Sequence, residues 1–407
     1  MVVNDNQMSI DENVGGLVTA LKKLRDSNGE TKENPFTAMG FDYRYVADGN
    51  DIKSMIEAFK AVKDVDHPIL LHINTLKGKG YKPAIDEEEA HHWVMPFDLK
   101  TDKPLAPASE APTANSVALD VVSEEIEKGT NLMAINAAIP GVFGLDKIKN
   151  KYPDHYTDVG IAEQESVAFA AGAAKEGAVP VLFENSTFLQ RAFDQLSHDV
   201  AANDLPVVMM VAGGGISGTS KTHLGIFDQV MISNLPNWIY LAPTNLAEEK
   251  AMMKWAIKQR KHPVAIKMPT KAVPENGDAQ EDYSEITYQI KPGKDVAILA
   301  LGDMYAILGE KVAQELNATL VNPVSANILD KDALDKLAKE NKVIVTIEDN
   351  TLDGGFGEKV ASYLGDKDVK VLNYGQKRVY TDQTPLKDIL KDNRMTVEQI
   401  VEDIKNA

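Results

Sequence analysis

The chain has 407 residues, of which 43% are hydrophobic, and its formal net charge at pH 7 is -18. This length favours two or three globular domains with sizeable cores. The acidic balance argues against a basic surface for nucleic acid or anionic lipid. Because the chain has no cysteine, disulfides and thiolate metal sites are excluded. Oxygen ligands and imidazoles remain for any metal, which allows a hard cation such as Mg²⁺.

The N-terminus has neither the basic region nor the apolar region of a signal peptide. No apolar run approaches the ~18 residues that a membrane span requires. We therefore expect a cytoplasmic protein that contacts neither a membrane nor nucleic acid.

The first segment, 1–100, has α/β character but few strands. The run PILLHINTL at 68–76 predicts one buried strand, since apolar residues follow one another without polar alternation. An amphipathic helix precedes it, and MVVND predicts at most one further short strand. An α/β domain needs several strands to cover its helices, so this segment is predicted to be an incomplete domain.

Two larger α/β segments follow, at 115–275 and 294–407. In the first of these, helices alternate with apolar strands, which predicts a mostly parallel sheet with helices on both faces. The second repeats the pattern in a smaller unit. The joining segments 101–114 and 276–293 are rich in polar residues and proline and are predicted to be linkers.

The residues Gly213, Gly215 and Gly218 have the spacing of a dinucleotide-binding fingerprint. That fingerprint requires a helix that opens on the third glycine and an acidic residue about twenty positions later. The residues that follow have a loop-like order, so a flexible active-site loop is favoured over nicotinamide binding.

Glu163 and Glu165 occupy the first turn of a predicted helix at 161–176. The simplest interpretation is that they complement the helix dipole. The helix continues with many alanines and Gly172, which favours a buried position at a subunit or domain interface. A buried glutamate would have a raised pKa and could take part in proton sharing.

Adjacent histidines at 91 and 92 suggest a metal site, but no carboxylate spacing completes a ligand set. A loop histidine that contacts a substrate or cofactor is the better interpretation of His92, and also of His223 in the glycine-rich loop. The cluster Asn4, Asp5 and Asn6 follows a short apolar run, where it could bind Mg²⁺ or simply form a turn.

Several motifs in one order resemble the transketolase family of thiamine-diphosphate enzymes, and within it the 1-deoxy-D-xylulose-5-phosphate synthases. They extend over nearly the whole chain. They are NDNQMSI with ENVG, DGND, KGKGYKPA, HHWVMPFD, DVGIAEQ, STFLQRAFDQLSHDVA, THLGIFD and EDNTLDGGFG.

The resemblance implies a fold, two cofactors and a set of site residues. The fold would comprise a partial diphosphate-binding domain, a pyrimidine-binding domain and a transketolase C-terminal domain. Glu163 resembles the glutamate that hydrogen-bonds N1′ of the aminopyrimidine of thiamine diphosphate, and Phe188 the aromatic residue stacked on that ring. Asn6 and the carbonyl of Met8 resemble the ligands of Mg²⁺.

The resemblance also implies substrate contacts. His92 and His223 correspond to histidines that handle protons and substrate hydroxyls. Arg191 resembles a substrate-facing cation, and Lys267 stands where the family usually has an arginine for the substrate phosphate. Lysine keeps the charge there but loses the bidentate fork.

Other departures concern both substrate and cofactor. The glycine-rich loop lacks the arginine of the synthases, Asn185 replaces a tyrosine, and Glu165 replaces a histidine. The GDG sequence that begins the Mg²⁺ and diphosphate motif is absent. We therefore expect poor cofactor binding by this chain alone.

The resemblance leaves several functional alternatives. The first expectation is synthesis of 1-deoxy-D-xylulose 5-phosphate from pyruvate and glyceraldehyde 3-phosphate. The second is a different reaction, ketol transfer between sugar phosphates. The chain could also be a non-catalytic C-terminal partner that needs a separate N-terminal chain. A homodimer is expected in each case.

The stretch 186–201 is predicted to be an amphipathic helix with Thr187 and Gln190 at capping-box spacing. One face carries Phe188 and Arg191 toward the cofactor pocket, and His198 is predicted to make a structural hydrogen bond. The other face supplies a buried stripe of Leu189, Ala192, Phe193, Leu196 and Val200.

Overall fold

The computed structural model describes residues 1–10, 13–106 and 111–407. The motif ENVG at 12–15 and the linker 101–114 therefore lie partly outside the described residues. The chain divides into two units. The first unit comprises Met1–Glu110 with Ala138–Gly141 and Val159–Ile161, and the second comprises the remainder.

The first unit contains a parallel sheet with the strand order β1-β3-β2. Its strands are β1 (Val2–Asp5), β2 (Asp42–Val46) and β3 (Ile69–Asn74). The central position of β3 explains its unbroken apolar run. The prediction missed β2, because an edge strand needs few apolar residues and DYRYV is half-exposed along most of its length.

Short helices and a two-stranded ribbon complete the first unit. The carboxylate of Asp51 accepts the amide of Ser54 at 2.8 Å and so starts the predicted amphipathic helix. The helices are α1 (Gly16–Asp26), α2 (Pro35–Ala38), α3 (Ile52–Val62) and α4 (Lys82–Asp86), and the ribbon is β4 (Phe97–Asp98) with β5 (Lys103–Pro104).

The second unit contains two sheets, and every pairing in the first of them is parallel, which confirms the prediction. The strand order is β10-β11-β9-β8-β6-β7. The strands are β6 (Leu132–Asn136), β7 (Tyr156–Asp158), β8 (Val179–Asn185), β9 (Val208–Ala212), β10 (Ile239–Leu241) and β11 (Val264–Lys267).

Helices alternate with these strands along the chain, as predicted. A capping box between Thr113 and Ser116 starts the first of them. They are α5 (Ala114–Glu127), α6 (Pro140–Phe143), α7 (Asp146–Lys151), α8 (Glu163–Lys175), α9 (Phe193–Gln195), α10 (Asp228–Ser233) and α11 (Leu246–Gln259).

The stretch 186–201 is not the regular amphipathic helix that was predicted. It runs as a 3₁₀ segment at Phe188–Ala192, then α9, then a π-helical segment at Leu196–Ala201. No side-chain cap is formed at Thr187. Four residues of the predicted stripe are buried, but Phe193 is 42% exposed, because the changing helical pitch turns it away from the core.

The second sheet is parallel except for its first strand, which pairs antiparallel with β14. This first strand, β12 (Gln289–Lys291), lies inside the predicted linker 276–293. The others are β13 (Val296–Ala300), β14 (Thr319–Asn322), β15 (Val343–Thr351) and β16 (Lys370–Gln376), in the order β12-β14-β13-β15-β16. The helices are α12 (Glu310–Leu316), α13 (Lys331–Glu340), α14 (Phe356–Tyr363), α15 (Leu386–Asp392) and α16 (Val397–Lys405).

The two sheets of the second unit share one hydrophobic core. A single cluster of buried side chains contains Leu182 and Met209 from the first sheet and Leu299 and Val321 from the second. The fold is thus the α/β architecture that the sequence predicts. Among the described residues, no helix is both long and apolar enough to cross a membrane.

The turn between β12 and β13 provides a test of this packing. A Cβ atom at Gly293 would lie 2.0 Å from the carbonyl carbon of Ala318. We expect Gly293→Ala to lower the free energy of unfolding by about 1–3 kcal/mol in denaturant titrations, because backbone must move to admit the methyl group.

Gly16→Ala, in α1, is the matched control, since a Cβ atom there meets nothing within 4 Å. This helical alanine should leave stability unchanged or raise it by up to ~1 kcal/mol. Equal stability of the two variants would contradict the packing described for Gly293.

Candidate active site

Polar side chains gather where the strands of the first sheet of the second unit end. Asn136, Asp158, Asn185 and Lys267 are the last residues of β6, β7, β8 and β11. In open parallel sheets, ligands bind outside the carboxyl ends of the strands. This edge is therefore the candidate active site of the unit.

Glu163 begins α8 and is only 4% exposed. Its Oε2 atom makes no hydrogen bond, although Nη1 of Arg191 lies 2.8 Å away as an ion-pair partner. The guanidinium is half-exposed, with 52% of its side chain accessible. The start of the helix thus presents a buried acceptor that is still open to a donor.

An aromatic contact lies on the same stretch of chain as Arg191. The ring of Phe188 meets that of His223 edge-on, with centroids 5.7 Å apart. Nδ1 of His223 lies 2.9 Å from the hydroxyl of Thr222. Since His223 is exposed and Phe188 half-buried, both rings can contact a ligand. His198 is also exposed and pairs with Asp194 at 2.9 Å, as a structural role predicts.

A second buried carboxyl group lies on β8, next to the end of that strand. Glu184 is fully buried, and its Oε1 atom accepts the amide of Asn185 at 2.8 Å, whereas Oε2 makes no hydrogen bond. Burial, together with the charges of Glu163 and Asp158, raises the pKa of Glu184 to about 8. This side chain is protonated at neutral pH.

Lys267 is buried and lies between two aspartates. Its Nζ atom is 3.3 Å from Oδ1 of Asp349 and 3.7 Å from Oδ2 of Asp228. Burial disfavours the charged amine, but the carboxylates of Asp228, Asp349 and Asp303 outweigh burial and raise the pKa of Lys267. The charge of Lys267 is therefore balanced within the protein.

Lys271 extends this cluster toward the second sheet. Its Nζ atom lies 3.4 Å from both Asp303 and Asp349. Burial raises the pKa of Asp303, and the nearby charge of Asp349 acts in the same direction. For Asp349, burial opposes ionisation, but Lys267 and Lys271 lower its pKa.

The glycine-rich loop lies against this cluster. A Cβ atom would come within 2.9 Å of the Lys267 amine at Gly214 and within 2.0 Å of an Asp349 oxygen at Gly215. Gly215 also has a φ angle of 117°, which disfavours other residues. No helix opens on Gly218, as expected for an active-site loop rather than a dinucleotide fingerprint.

In the first unit, the predicted magnesium ligands occupy a turn after β1. Oδ1 of Asn6 accepts the amide of Met8 at 3.2 Å. The neighbouring carboxylate of Asp5 is buried and binds Arg25 and His72. Burial opposes ionisation of Asp5, but hydrogen bonds from these two residues lower its pKa. Asp5 is therefore already engaged within the unit.

The two adjacent histidines have different surroundings. His91 is 10% exposed and lies 3.0 Å from Asp102, which identifies it as a structural residue. His92 is exposed. Burial of its ring, followed by the charge of Lys77, lowers the pKa of His92, so that it is neutral at pH 7. Only His92 of the pair is thus available to a ligand.

Three family descriptions match the chain. The transketolase pyrimidine-binding domain matches residues 111–275, and the transketolase C-terminal domain matches 286–400. 1-Deoxy-D-xylulose-5-phosphate synthase matches residues 25–75.

Whole-sequence relatives agree with these matches. A 1-deoxy-D-xylulose-5-phosphate synthase of Clostridium botulinum is 35% identical, over 92% of this chain and 67% of the relative. Those of Clostridium tetani and Lachnoclostridium phytofermentans are 32% and 36% identical, over 72% and 70% of their own lengths. The chain belongs to the transketolase family.

A solved structure supports the fold. A split-gene transketolase, described as an inactive β4 tetramer, superimposes with a TM-score of 0.63. The match covers 72% of this chain and 97% of that one, at 24% sequence identity. Transketolase-family enzymes are transferases that use thiamine diphosphate with a divalent metal such as Mg²⁺.

The second unit fits the aminopyrimidine half of this cofactor. Because Oε2 of Glu163 is buried without a hydrogen bond, it can accept one from a ring nitrogen. Phe188 is half-buried, precedes Arg191, the ion-pair partner of Glu163, by one turn and can cover an aromatic ring. In the first unit, Asn6 and the Met8 carbonyl offer oxygen ligands of the type that Mg²⁺ prefers.

The sequence motifs predict no role for Glu184 or for the three aspartates of the lysine cluster. This cluster comprises Lys267 and Lys271 with Asp228, Asp303 and Asp349. Two of these aspartates, Asp228 and Asp349, lie in motifs that carry the family resemblance, and their place in those motifs could have indicated a role in the site. Glu184 and Asp303 follow apolar strand runs and gave only the weak signal of an acidic residue at a strand end.

The lysine cluster gives a testable difference between two similar residues. We expect Lys267→Met to lower the free energy of unfolding by about 3–5 kcal/mol, because it leaves two fully buried aspartates without their closest cation. Lys271→Met should have a smaller effect in the same denaturant titration, since water reaches the 14% exposed Lys271. Similar losses in both variants would contradict the central position assigned to Lys267.

Proposed function

We propose that the chain is part of a thiamine-diphosphate- and Mg²⁺-dependent enzyme that makes 1-deoxy-D-xylulose 5-phosphate from pyruvate and glyceraldehyde 3-phosphate. The observation that carries this proposal is the buried Glu163, whose Oε2 atom has an ion-pair partner in Arg191 but no hydrogen bond, where the family has its pyrimidine-binding glutamate. The synthase relatives support the choice of reaction.

Thiamine diphosphate, when bound, supplies a carbon nucleophile and an electron sink. In this proposal Glu163 holds the aminopyrimidine and keeps a negative charge at its ring nitrogen. Phe188 packs on the ring and excludes water. Asn6 and the carbonyl of Met8 contribute two of the oxygen ligands of Mg²⁺.

The substrate side of the proposal rests on exposed residues. His223 and His92 would exchange protons with substrate hydroxyl and carbonyl groups. Arg191 is half-exposed and would attract an anionic substrate group. Lys267 remains a predicted phosphate ligand, but its two aspartate partners favour a structural role, since a phosphate would have to displace them.

A second candidate is ketol transfer between sugar phosphates, as in a transketolase. The absence of the synthase arginine from the loop 213–218 supports it, since that arginine would bind the acceptor phosphate. The same Glu163, Phe188 and histidines would serve both reactions.

A third candidate is a partner subunit that works with a separate N-terminal chain. Asp5 is engaged by Arg25 and His72, so it is a poor candidate for the carboxylate ligand that Mg²⁺ needs in this family. The solved neighbour, described as a split-gene protein, supports this arrangement. For each candidate we propose a homodimer. Phe169 and Gly172 of α8 are exposed, and a second copy could cover them.

A titration of thiamine diphosphate tests the third candidate against the first two. We expect calorimetry to show weak binding by this chain with or without Mg²⁺. Saturable, Mg²⁺-dependent binding should follow addition of a chain that carries the N-terminal GDG segment of a relative. Tight binding by this chain alone would contradict the partner hypothesis, whereas no binding in either mixture would contradict the proposed cofactor.

The role of Glu163 is tested in the assembled enzyme. Glu163→Gln should slow exchange of the cofactor C2 proton by about 10²–10⁴-fold, a general acid–base effect. Glu165→Gln is the matched control, because Glu165 is exposed on the same helical turn. Unchanged exchange in Glu163→Gln would remove Glu163 from the mechanism.

A further inference from the structure

Glu184 lies on the face of β8 that packs against α8. Successive side chains of a strand point to opposite faces, so Glu184 shares its face with Leu182. Leu182 belongs to the apolar cluster that also contains Val167 and Ala170 of α8. The carboxyl group of Glu184 is therefore on the side of the sheet on which Glu163 begins α8.

Glu163 and Glu184 share an unusual feature. Each is at least 95% buried by side-chain accessibility, and each has an Oε2 atom without a hydrogen bond. The charge of Asp158, at the end of β7, also raises the pKa of Glu184. The charge of Glu163 raises the pKa of Glu184, so the two buried carboxyl groups repel each other and ionisation of one opposes ionisation of the other.

We propose that Glu184 and Glu163 form a carboxyl pair that holds one proton at neutral pH, with the proton on Glu184 and the negative charge on Glu163. The pair makes Glu184 a positioning residue, which acts on a ligand through Glu163.

The surroundings decide which member is ionised. Glu163 has the guanidinium of Arg191 at 2.8 Å and lies at the positive end of the α8 dipole, and both stabilise a carboxylate. Glu184 accepts a hydrogen bond from the amide of Asn185 and has no cationic partner among the residues that the structure describes. The negative charge of Asp158 disfavours ionisation of Glu184 further, so the proton resides on Glu184.

The pair determines the net charge of the two carboxyl groups near the start of α8. One anion and one neutral acid give a single strong acceptor at Glu163, which suits a protonated or polarised ring nitrogen. The role of the pair in binding the aminopyrimidine rests on the proposed function. The existence of the pair does not rest on it, because the pair belongs to the free chain and can be measured without cofactor.

The pH dependence of stability tests the protonated member. The folded pKa of Glu184 is about 8 and its ordinary value is 4.5, so its proton stabilises the folded chain fully below about pH 4.5. That contribution is lost as the pH rises through 8. Glu184→Gln keeps a neutral side chain of the same shape and should escape this loss.

We expect Glu184→Gln to melt at nearly the wild-type temperature at pH 5 and at least about 2 °C higher at pH 9. Glu165→Gln, in the exposed first turn of α8, should follow the wild type at both pH values. Other buried acids such as Glu249 and Glu348 also have raised pKa values, through burial, but contribute equally to all three proteins. A wild-type pH dependence in Glu184→Gln would overturn the proposal.

A second measurement tests the coupling between the two residues. Infrared difference spectra of wild type minus Glu184→Gln isolate the protonated carboxyl band of Glu184 and its titration midpoint. Repeating this on a Glu163→Gln background should move the midpoint to lower pH, because a negative neighbour is removed. An unmoved midpoint would show that burial alone holds the proton, and would overturn the pair.

These outcomes are distinguishable from failure of the proposed function. If Glu163→Gln leaves C2 proton exchange unchanged but shifts the Glu184 midpoint, the pair stands and the cofactor role falls. If exchange is lost and the midpoint is unmoved, the cofactor role stands and the pair falls.

Discussion

A buried amine holds together the two sheets of the second unit. Lys267 ends β11 in the first sheet, and its partner Asp349 lies in β15 of the second. A charge in this position is stable only while its carboxylates surround it. The glycines at 214 and 215 follow from this constraint, because a side chain there would collide with the amine or with Asp349. The ion cluster that the loop contacts therefore constrains the residues at positions 214 and 215, whether or not a ligand also does.

The buried acidic residues of the second unit that were described above fall into two classes. Asp228 and Asp349 are matched by lysines and serve stability. Glu163 and Glu184 keep open carboxyl oxygens, and only Glu163 has a cation beside it. The ion-paired aspartates and the glutamates with open oxygens are therefore separate groups within the second unit.

The sequence predicts the central strands and long helices well, because continuous apolar runs and capping residues mark them. It missed β2, β7, β11, β16 and the first strand of the second sheet. All of these except the four-residue β11 lie at the end of a sheet, where few apolar residues are needed. It also predicted one regular helix at 186–201, since the apolar spacing does not reveal 3₁₀ and π turns. In the site, family motifs predict roles for Glu163, Phe188 and His223, and these roles stay predictions. These motifs do not reveal that the charge of Lys267 is balanced by Asp228 and Asp349. Ion pairing across two sheets depends on tertiary contacts between residues far apart in sequence.

The antiparallel strand β12 shows that the connection between the two sheets is not a flexible linker along its whole length. A flexible tether would let the C-terminal segment be separated anywhere along 276–293. Because residues 289–291 add a strand to β14, a fragment that began at residue 294 would leave one side of β14 with unpaired backbone groups. Such a fragment would be prone to edge-to-edge association. The C-terminal domain, if expressed separately, should therefore begin before Gln289.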